Sequence, residues 1–115
     1  MMNDIQKKRF SDALQRVSGD EDMLGMLATI AVEDAPAMME SLESQIDDPT
    51  LTEAARTAHS LKGLLSAFET GEPISELEPL IEAARRGDKT EAATVHAAIK
   101  PKLQSLMTEI EAIAD

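Results

Sequence analysis

The sequence predicts an all-α protein, an up-and-down antiparallel bundle of four helices with an additional short N-terminal helix. Apolar residues recur three and four positions apart along nearly the whole chain, which is the period of helices that bury one face. No segment shows the alternating or β-branched pattern of a strand. A length of 115 residues indicates one domain, residues 1–115, in which caps, glycines and prolines separate five helical segments.

The first two segments begin at polar residues that can cap a helix. Asn3 can cap a helix from about Asp4 to Val17, which ends before Gly19. Asp20 can cap the second segment, which carries apolar residues on one side: Met23, Leu24, Leu27, Ile30 and Ala31. The same period resumes later in this segment at Met38, Met39, Leu42 and Ile46.

Proline interrupts the pattern of the second segment at Pro36. A proline inside a helix removes one backbone hydrogen bond and clashes with the preceding turn. We therefore expect a kink or a short break at Pro36 rather than a domain boundary. The segment ends at Asp47-Asp48-Pro49.

The third segment has Thr50 or Thr52 as its N-cap and carries two stripes. Successive residues advance about 100° around a helix axis, which predicts one buried apolar stripe: Leu51, Ala54, Ala55, Ala58, Leu61, Leu65 and Phe68. The second stripe, centred roughly 120° from the first, contains His59, Lys62, Gly63 and Ser66. That angle lies at or beyond the edge of a core-facing surface, so we expect His59 to be exposed.

The last two segments also carry cap signals. Ser75 and Glu78 have the spacing of a capping box at the start of the fourth helix, which Gly87 ends. Asp88 and Glu91 repeat that spacing at the start of the fifth helix. This helix should run almost to Asp115 and bend at Pro101, with a buried line of Ala92, Val95, Ile99, Leu103, Leu106, Ile110 and Ile113.

Gly63 is the residue of the third helix that packing explains least well. Glycine inside a helix costs about 1 kcal/mol relative to alanine. Its missing side chain leaves a bare patch one turn after His59, where the backbone of another protein can approach. Lys62, also one turn on, offers an ammonium that can form a charge-assisted hydrogen bond to a phosphoryl oxygen.

Residues 58–63, with the sequence AHSLKG, resemble the signature of the histidine phosphotransfer (HPt) domain, a four-helix module of two-component phosphorelays. The resemblance extends to residues 19–24, 32–36 and 81–88 and thus covers nearly the whole chain. Family members often carry a small polar residue at the position of Ala67 and a glycine at the position of Glu69, whereas the nearest glycine here is Gly71.

The resemblance implies a role for each residue of the second stripe. His59 would accept a phosphoryl group from a receiver-domain aspartate and pass it to another receiver. Lys62 would stabilise the phosphoryl group, and Gly63 would give clearance to the receiver. Arg56 and Ser66 are further candidate binding residues on this helix.

The resemblance also names partners and a cofactor. Receiver domains of response regulators are the expected partners, with a hybrid sensor histidine kinase as a further candidate. No cofactor is expected on this chain, because Mg²⁺ belongs to the receiver. We expect a phosphoryl carrier rather than an autonomous kinase, since the sequence has no glycine-rich phosphate loop.

Composition excludes several classes of function. The chain has no cysteine, which excludes disulfides, thiolate catalysis and cysteine-ligated metals. Its 22 acidic and 11 basic residues give a net charge of −11, which makes nucleic acid and anionic membranes poor partners. Without a signal-like or membrane-spanning apolar run, a cytoplasmic monomer is expected.

Other residues favour structural explanations. His96 lies next to the buried line of the fifth helix and lacks the lysine and glycine that follow His59, so we expect a packing role. Met23, Met26, Met38 and Met39 should fill the core, with an adaptable docking surface as the alternative. No Glu-x-x-His pair of a metal-binding bundle is present.

Two other functions remain open at the level of the sequence. The chain could be a helical adaptor that docks on a receiver or a histidine kinase without being phosphorylated. His59 could also be the general base of a small hydrolase, which would require a concave pocket and a second oriented group.

Overall fold

A computed structural model describes residues 2–49 and 51–115. These residues form six α-helices and no strand, which confirms the predicted all-α class: α1 (Asp4–Arg9), α2 (Ser11–Arg16), α3 (Glu21–Ile46), α4 (Thr52–Leu65), α5 (Leu77–Arg85) and α6 (Lys89–Ile113). A single 3₁₀ turn, Ile74–Glu76, precedes α5.

The four longest helices pack side by side. Helix α3 packs against α4 and α6, and α5 packs against the same two helices. Lys89 at the start of α6 donates a hydrogen bond to the carbonyl of Asp47 at the end of α3, at 3.0 Å. At the other end, the backbone N–H of Asp115 donates to the hydroxyl of Thr29, at 3.1 Å. Helices α3 and α6 therefore run in opposite directions.

The core confirms the predicted apolar stripe of α4, because all seven of its residues are buried. The predicted line of α6 is buried too, except that Val95 is only partly covered. Within the described ranges no polar or charged residue falls in the buried class. The polar and charged side chains of the described residues therefore lie at the surface of the bundle or are only partly buried.

Three of the predicted N-caps are confirmed. The side-chain oxygens of Asn3, Asp20 and Asp88 accept hydrogen bonds from the third residue of the helix that each precedes, at 2.9, 3.0 and 3.1 Å. Gly87 ends α5 with a left-handed φ of +72°, and the N–H of Asp88 donates back to the carbonyl of Ala83.

The predicted capping box of Ser75 and Glu78 is wrong. Helix α5 begins at Leu77 after the 3₁₀ turn, and no side chain caps it. The Glu78 carboxylate is instead bonded to Lys62 of α4. A charge-assisted hydrogen bond to a lysine is stronger than a capping bond to a backbone N–H, so Glu78 binds Lys62 across the helix interface instead of capping α5.

The N-cap of α4 also differs from the prediction. Thr52 is the first helical residue, and Leu51 holds the N-cap position with a left-handed φ of +57° and no side-chain cap. A residue in the left-handed conformation costs about 1 kcal/mol, whereas burying a leucine side chain contributes about 2 kcal/mol. Burial of the Leu51 side chain therefore outweighs the unfavourable backbone and determines how the chain enters α4. The alternative cap, Thr50, lies outside the described residues.

The two internal prolines do not interrupt their helices. Helix α3 continues through Pro36 and α6 continues through Pro101. Of the kink or short break that we expected at Pro36, the break therefore does not occur, and Pro36 is not a domain boundary. Several buried residues on either side of each proline hold the two halves of the helix against the core. This packing offsets the roughly 3 kcal/mol that an internal proline costs.

The predicted first helix divides into α1 and α2 at Phe10. Phe10 leaves the helical conformation, with φ −106° and ψ 29°, and is buried. Its ring meets that of Phe68 edge to face, with centroids 6.3 Å apart. The bend at Phe10 thus turns this side chain onto the segment that follows α4.

Polar contacts fix α1 and α2 against the end of the bundle where α4 and α6 end. The Arg9 guanidinium binds the carboxylates of Glu69, at 2.8 Å, and Glu109, at 2.9 Å. Arg16 donates to the carbonyl of Ala67 at 2.9 Å. Glu69 therefore helps to hold the N-terminal helices in place.

Part of the predicted apolar stripe of α3 is wrong. Met23 and Ile30 of this stripe are 48% and 47% exposed. Of the other methionines that we expected to fill the core, Met26 is 62% exposed, whereas Met38 and Met39 pack against the core. The first half of α3 buries a narrower line through Leu24 and small residues such as Ala28. None of the helices described here combines the length and the apolar character needed to span a membrane.

His96 lies half-buried in a cleft between α3 and α6, where burial lowers its pKa below the ordinary 6.5. The charges of Glu43 and Asp47 oppose this shift, and the charge of Lys100 adds to it. The unfolded chain should therefore bind a proton at a pH at which folded His96 does not. As the pH falls from 6.5 through the lowered pKa, His96 should reduce the free energy of unfolding.

Chemical denaturation at about pH 7.5 and at about pH 5.5 tests this expectation. The wild type should lose more stability on acidification than His96→Gln, which has no titrating group at this position. Equal losses in the two proteins would contradict it.

Candidate functional site on helix α4

His59 lies on the exposed face of α4, as the stripe geometry predicts. The opposite face of the helix is fully buried through Ala58, Leu61 and Leu65. In the described part of the chain, no side chain forms a hydrogen bond to the imidazole of His59. The backbone of the histidine is thus held by the core, while its ring is open to solvent and to an approaching partner.

Gly63 faces open space. A Cβ atom built on this residue would have no heavy atom within 4 Å apart from its own helix and chain neighbours. Its φ is not in the left-handed region, so neither backbone conformation nor helix packing requires a glycine here. Close packing of a neighbouring helix therefore does not explain this glycine. The bare patch beside His59 is on the outer surface.

Lys62 is held by a carboxylate of the neighbouring helix. Its ammonium lies 2.8 Å from Oε2 of Glu78, and both side chains are partly exposed. The hydrogen bond from Lys62 and, next, its positive charge hold the pKa of Glu78 below the usual value for a glutamate. The charges of Arg85 and His59 contribute in the same direction. An ion pair between α4 and α5 thus stands next to the exposed histidine.

Ser66 and Arg56 are both engaged within α4 itself. The hydroxyl of Ser66 donates a hydrogen bond to the carbonyl of Gly63 at 3.0 Å. The guanidinium of Arg56 lies 3.2 Å from a Glu53 carboxylate oxygen, and its side chain is highly exposed. Neither of these contacts involves His59.

A basic cleft lies between the start of α4 and the end of α5. Arg56, Arg85 and Arg86 line it, and its volume is about 430 Å³. Arg85 and Arg86 were not among the candidates from the sequence, because only the folded pairing of α4 with α5 brings them beside Arg56. His59 does not line this cleft or the other three main clefts of the described structure.

An exposed histidine outside any main cleft suits a nucleophile that reacts with a group carried by a partner protein rather than with a small molecule held in a pocket. A neutral imidazole keeps one unprotonated nitrogen that can attack an electrophile. Among residues 2–49 and 51–115, no group of three or more acidic or histidine side chains could hold a metal ion. His59 lines none of the main clefts in the described part of the chain, so the geometry gives no support to the general-base hydrolase.

The chain matches a known protein family. The model of the Hpt domain family matches residues 26–113, which include α4, α5, α6 and most of α3. Comparisons with curated proteins and with solved structures found no match to the chain.

Proposed function

The chain belongs to the Hpt domain family, whose members transfer phosphoryl groups in phosphorelays, and from this premise we propose that His59 is its phosphorylated residue. In this proposal His59 accepts a phosphoryl group from a receiver-domain aspartate and passes it to a second receiver. The partners are receiver domains, and a hybrid sensor histidine kinase is one source of the first.

One observation carries the proposal: the exposed face of α4 presents His59 with an ammonium and a bare patch one turn away. The exposure of His59 permits the close approach that direct transfer between two proteins requires. The open space at Gly63 gives room to a partner backbone. His96 offers no such arrangement, because it is half-buried between α3 and α6.

The proposed transfer balances as a direct displacement at phosphorus. The unprotonated nitrogen of His59 forms the P–N bond while the P–O bond of the aspartyl phosphate breaks. The electron pair of that bond leaves on the aspartate carboxylate, and the proton on the other imidazole nitrogen is free to pass to solvent. In the return step, the other imidazole nitrogen regains a proton from solvent, and a receiver carboxylate attacks phosphorus. The His59 nitrogen leaves with the electron pair of the P–N bond, which restores the neutral imidazole.

This chain contributes position and charge to the transfer. Phosphoryl transfer depends chiefly on alignment of the reacting groups and on neutralisation of charge. The core-anchored helix α4 holds His59, and the Lys62 ammonium would compensate the charge that develops on the phosphoryl oxygens. Mg²⁺ bound to the receiver would neutralise further charge on its side of the complex.

Incubation with phosphorylated receivers tests the proposal directly. Receiver domains are loaded with acetyl phosphate and Mg²⁺, mixed with the protein and analysed by intact mass under mildly alkaline conditions, which preserve phosphohistidine. We expect the mass of one phosphoryl group on the wild type. If a receiver binds equally well to the wild type and to His59→Gln and no phosphoryl group is transferred, the protein is the non-phosphorylated adaptor instead.

Lys62→Ala should slow transfer without abolishing it. The ammonium stabilises charge in the transition state, whereas the nucleophile is on His59, and loss of one such electrostatic contact typically costs about 10- to 1000-fold. Because Lys62 is partly exposed, we expect the lower end of that range. The single-turnover rate with a saturating phosphorylated receiver measures the effect.

Lys102→Ala is the matched control for this variant. It removes an exposed lysine that also pairs with a glutamate, Glu76, at 3.1 Å. Its transfer rate should equal that of the wild type. An unchanged rate for Lys62→Ala would remove Lys62 from the mechanism.

A further inference from the structure

The contact between Lys62 and Glu78 has a consequence for the phosphorylated protein. We propose that Glu78 destabilises phosphorylated His59 by competing with the phosphoryl group for Lys62, and thereby drives the phosphoryl group onward to a receiver. This inference rests on the proposed function of His59. It assigns Glu78 the part of a positioning residue that acts through Lys62.

The geometry supplies the competition. Lys62 follows His59 by three residues, which places both on neighbouring positions of the same side of α4. In the unphosphorylated protein its ammonium is 2.8 Å from Glu78 Oε2. The charge of His59 also contributes to the lowered pKa of Glu78, so the two side chains interact electrostatically. A phosphoryl group on His59 would therefore enter a space that already contains one cation and one anion.

Charge then decides the direction of the effect. A phosphoryl group adds about one and a half to two negative charges at neutral pH. One ammonium cannot neutralise both this group and the Glu78 carboxylate. If Lys62 turns to the phosphoryl group, Glu78 loses its partner, and if Lys62 stays, the phosphoryl group lacks full compensation. In either case the like charge of Glu78 raises the free energy of the phosphorylated state.

The size of the effect follows from the exposure of the pair. Lys62 and Glu78 side chains are 37% and 44% exposed, so solvent screens their interaction. An exposed pair of charges typically changes an equilibrium by about two- to tenfold. We expect the effect to decrease with added salt, because the groups are in contact with solvent.

Glu76→Gln is the matched control. Glu76 lies two residues before Glu78 and also binds a lysine, but that lysine is Lys102 of α6 and not a residue of α4. The two substitutions remove the same charge from the same segment. They differ in whether the charge belongs to the ion pair beside His59.

The experiment measures the equilibrium of the phosphoryl group between a receiver and the full chain. Phosphorylated receiver is mixed with the wild type, Glu78→Gln or Glu76→Gln, and the phosphorylated fraction of each protein is read by intact mass. We expect Glu78→Gln to shift the equilibrium toward phosphohistidine by about two- to tenfold, and Glu76→Gln to leave it at the wild-type value. High salt should reduce the shift.

A second measurement does not depend on the receiver. Isolated phosphorylated protein is followed as it loses its phosphoryl group, which should occur more slowly in Glu78→Gln than in the wild type. Thermal unfolding of each variant confirms that the compared samples are folded. Gln keeps the shape of the partly exposed side chain, and the thermal midpoint should hardly change.

The outcomes separate this inference from the proposed function. If the wild type accepts no phosphoryl group on His59, both are wrong. If the wild type accepts one and Glu78→Gln gives an unchanged equilibrium, or a shift toward the receiver, the competition is overturned while the function of His59 stands. An equal shift in Glu76→Gln would also overturn it, because the effect would then reflect net charge alone.

Discussion

His59→Gln is expected to abolish phosphoryl acceptance completely while leaving the fold intact. Glutamine has no nucleophilic nitrogen, so the P–N bond cannot form. The side chain is exposed and makes no hydrogen bond to another side chain in the described structure, so its replacement should change the free energy of unfolding by less than about 0.5 kcal/mol. Intact mass after incubation with a phosphorylated receiver, together with thermal unfolding, measures both effects.

His96→Gln serves as the control for this substitution. It removes the second of the two histidines and should accept a phosphoryl group as the wild type does. Phosphate on a peptide that contains His96 but not His59 would show that the wrong histidine has been assigned.

Gly63→Leu is expected to lose most phosphotransfer while remaining folded. Apart from its own helix and chain neighbours, no heavy atom lies within 4 Å of a Cβ at this exposed position, so we expect a leucine side chain to extend into solvent rather than overpack the core. Leucine also favours the helical conformation more than glycine, so stability should not fall. The added side chain would block the approach of a receiver to His59, and the defect should appear as weaker binding.

Receiver affinity and the denaturation midpoint are to be measured on the same sample. Gly63→Ala should raise the free energy of unfolding by up to about 1 kcal/mol and retain more transfer than the leucine variant. Ala93→Leu, which adds a similar side chain to an exposed position of α6, controls for the added apolar surface. A Gly63→Leu protein of normal affinity would rule out docking at this patch.

The buried and exposed faces of α4 could be predicted from the sequence because helical geometry alone fixes them. Each residue advances about 100°, so the position of Ala58 and Leu61 in the core places His59 outside it. The caps at Asp20 and Asp88 could also be predicted from the sequence, because a capping bond joins residues only three positions apart.

Features that depend on contacts between two helices could not be predicted from the local sequence pattern. The bond between Lys62 and Glu78 joins residues 16 positions apart, and nothing in the local pattern around Glu78 distinguishes it from a capping residue. The exposure of Met23 and Ile30 depends on which part of α3 its neighbours cover. In both cases tertiary packing overrides the local signal.

The edge-to-face pair of Phe10 and Phe68 also determines the fluorescence and the near-ultraviolet circular dichroism of the protein. The chain contains no tryptophan or tyrosine, and these two rings are its only aromatic side chains. Phenylalanine fluoresces weakly, so in a mixture with a tryptophan-containing receiver the intrinsic emission comes from the receiver. The near-ultraviolet circular dichroism of the free protein comes from this one ring pair, and it reports whether α1 and α2 are seated on the segment that follows α4.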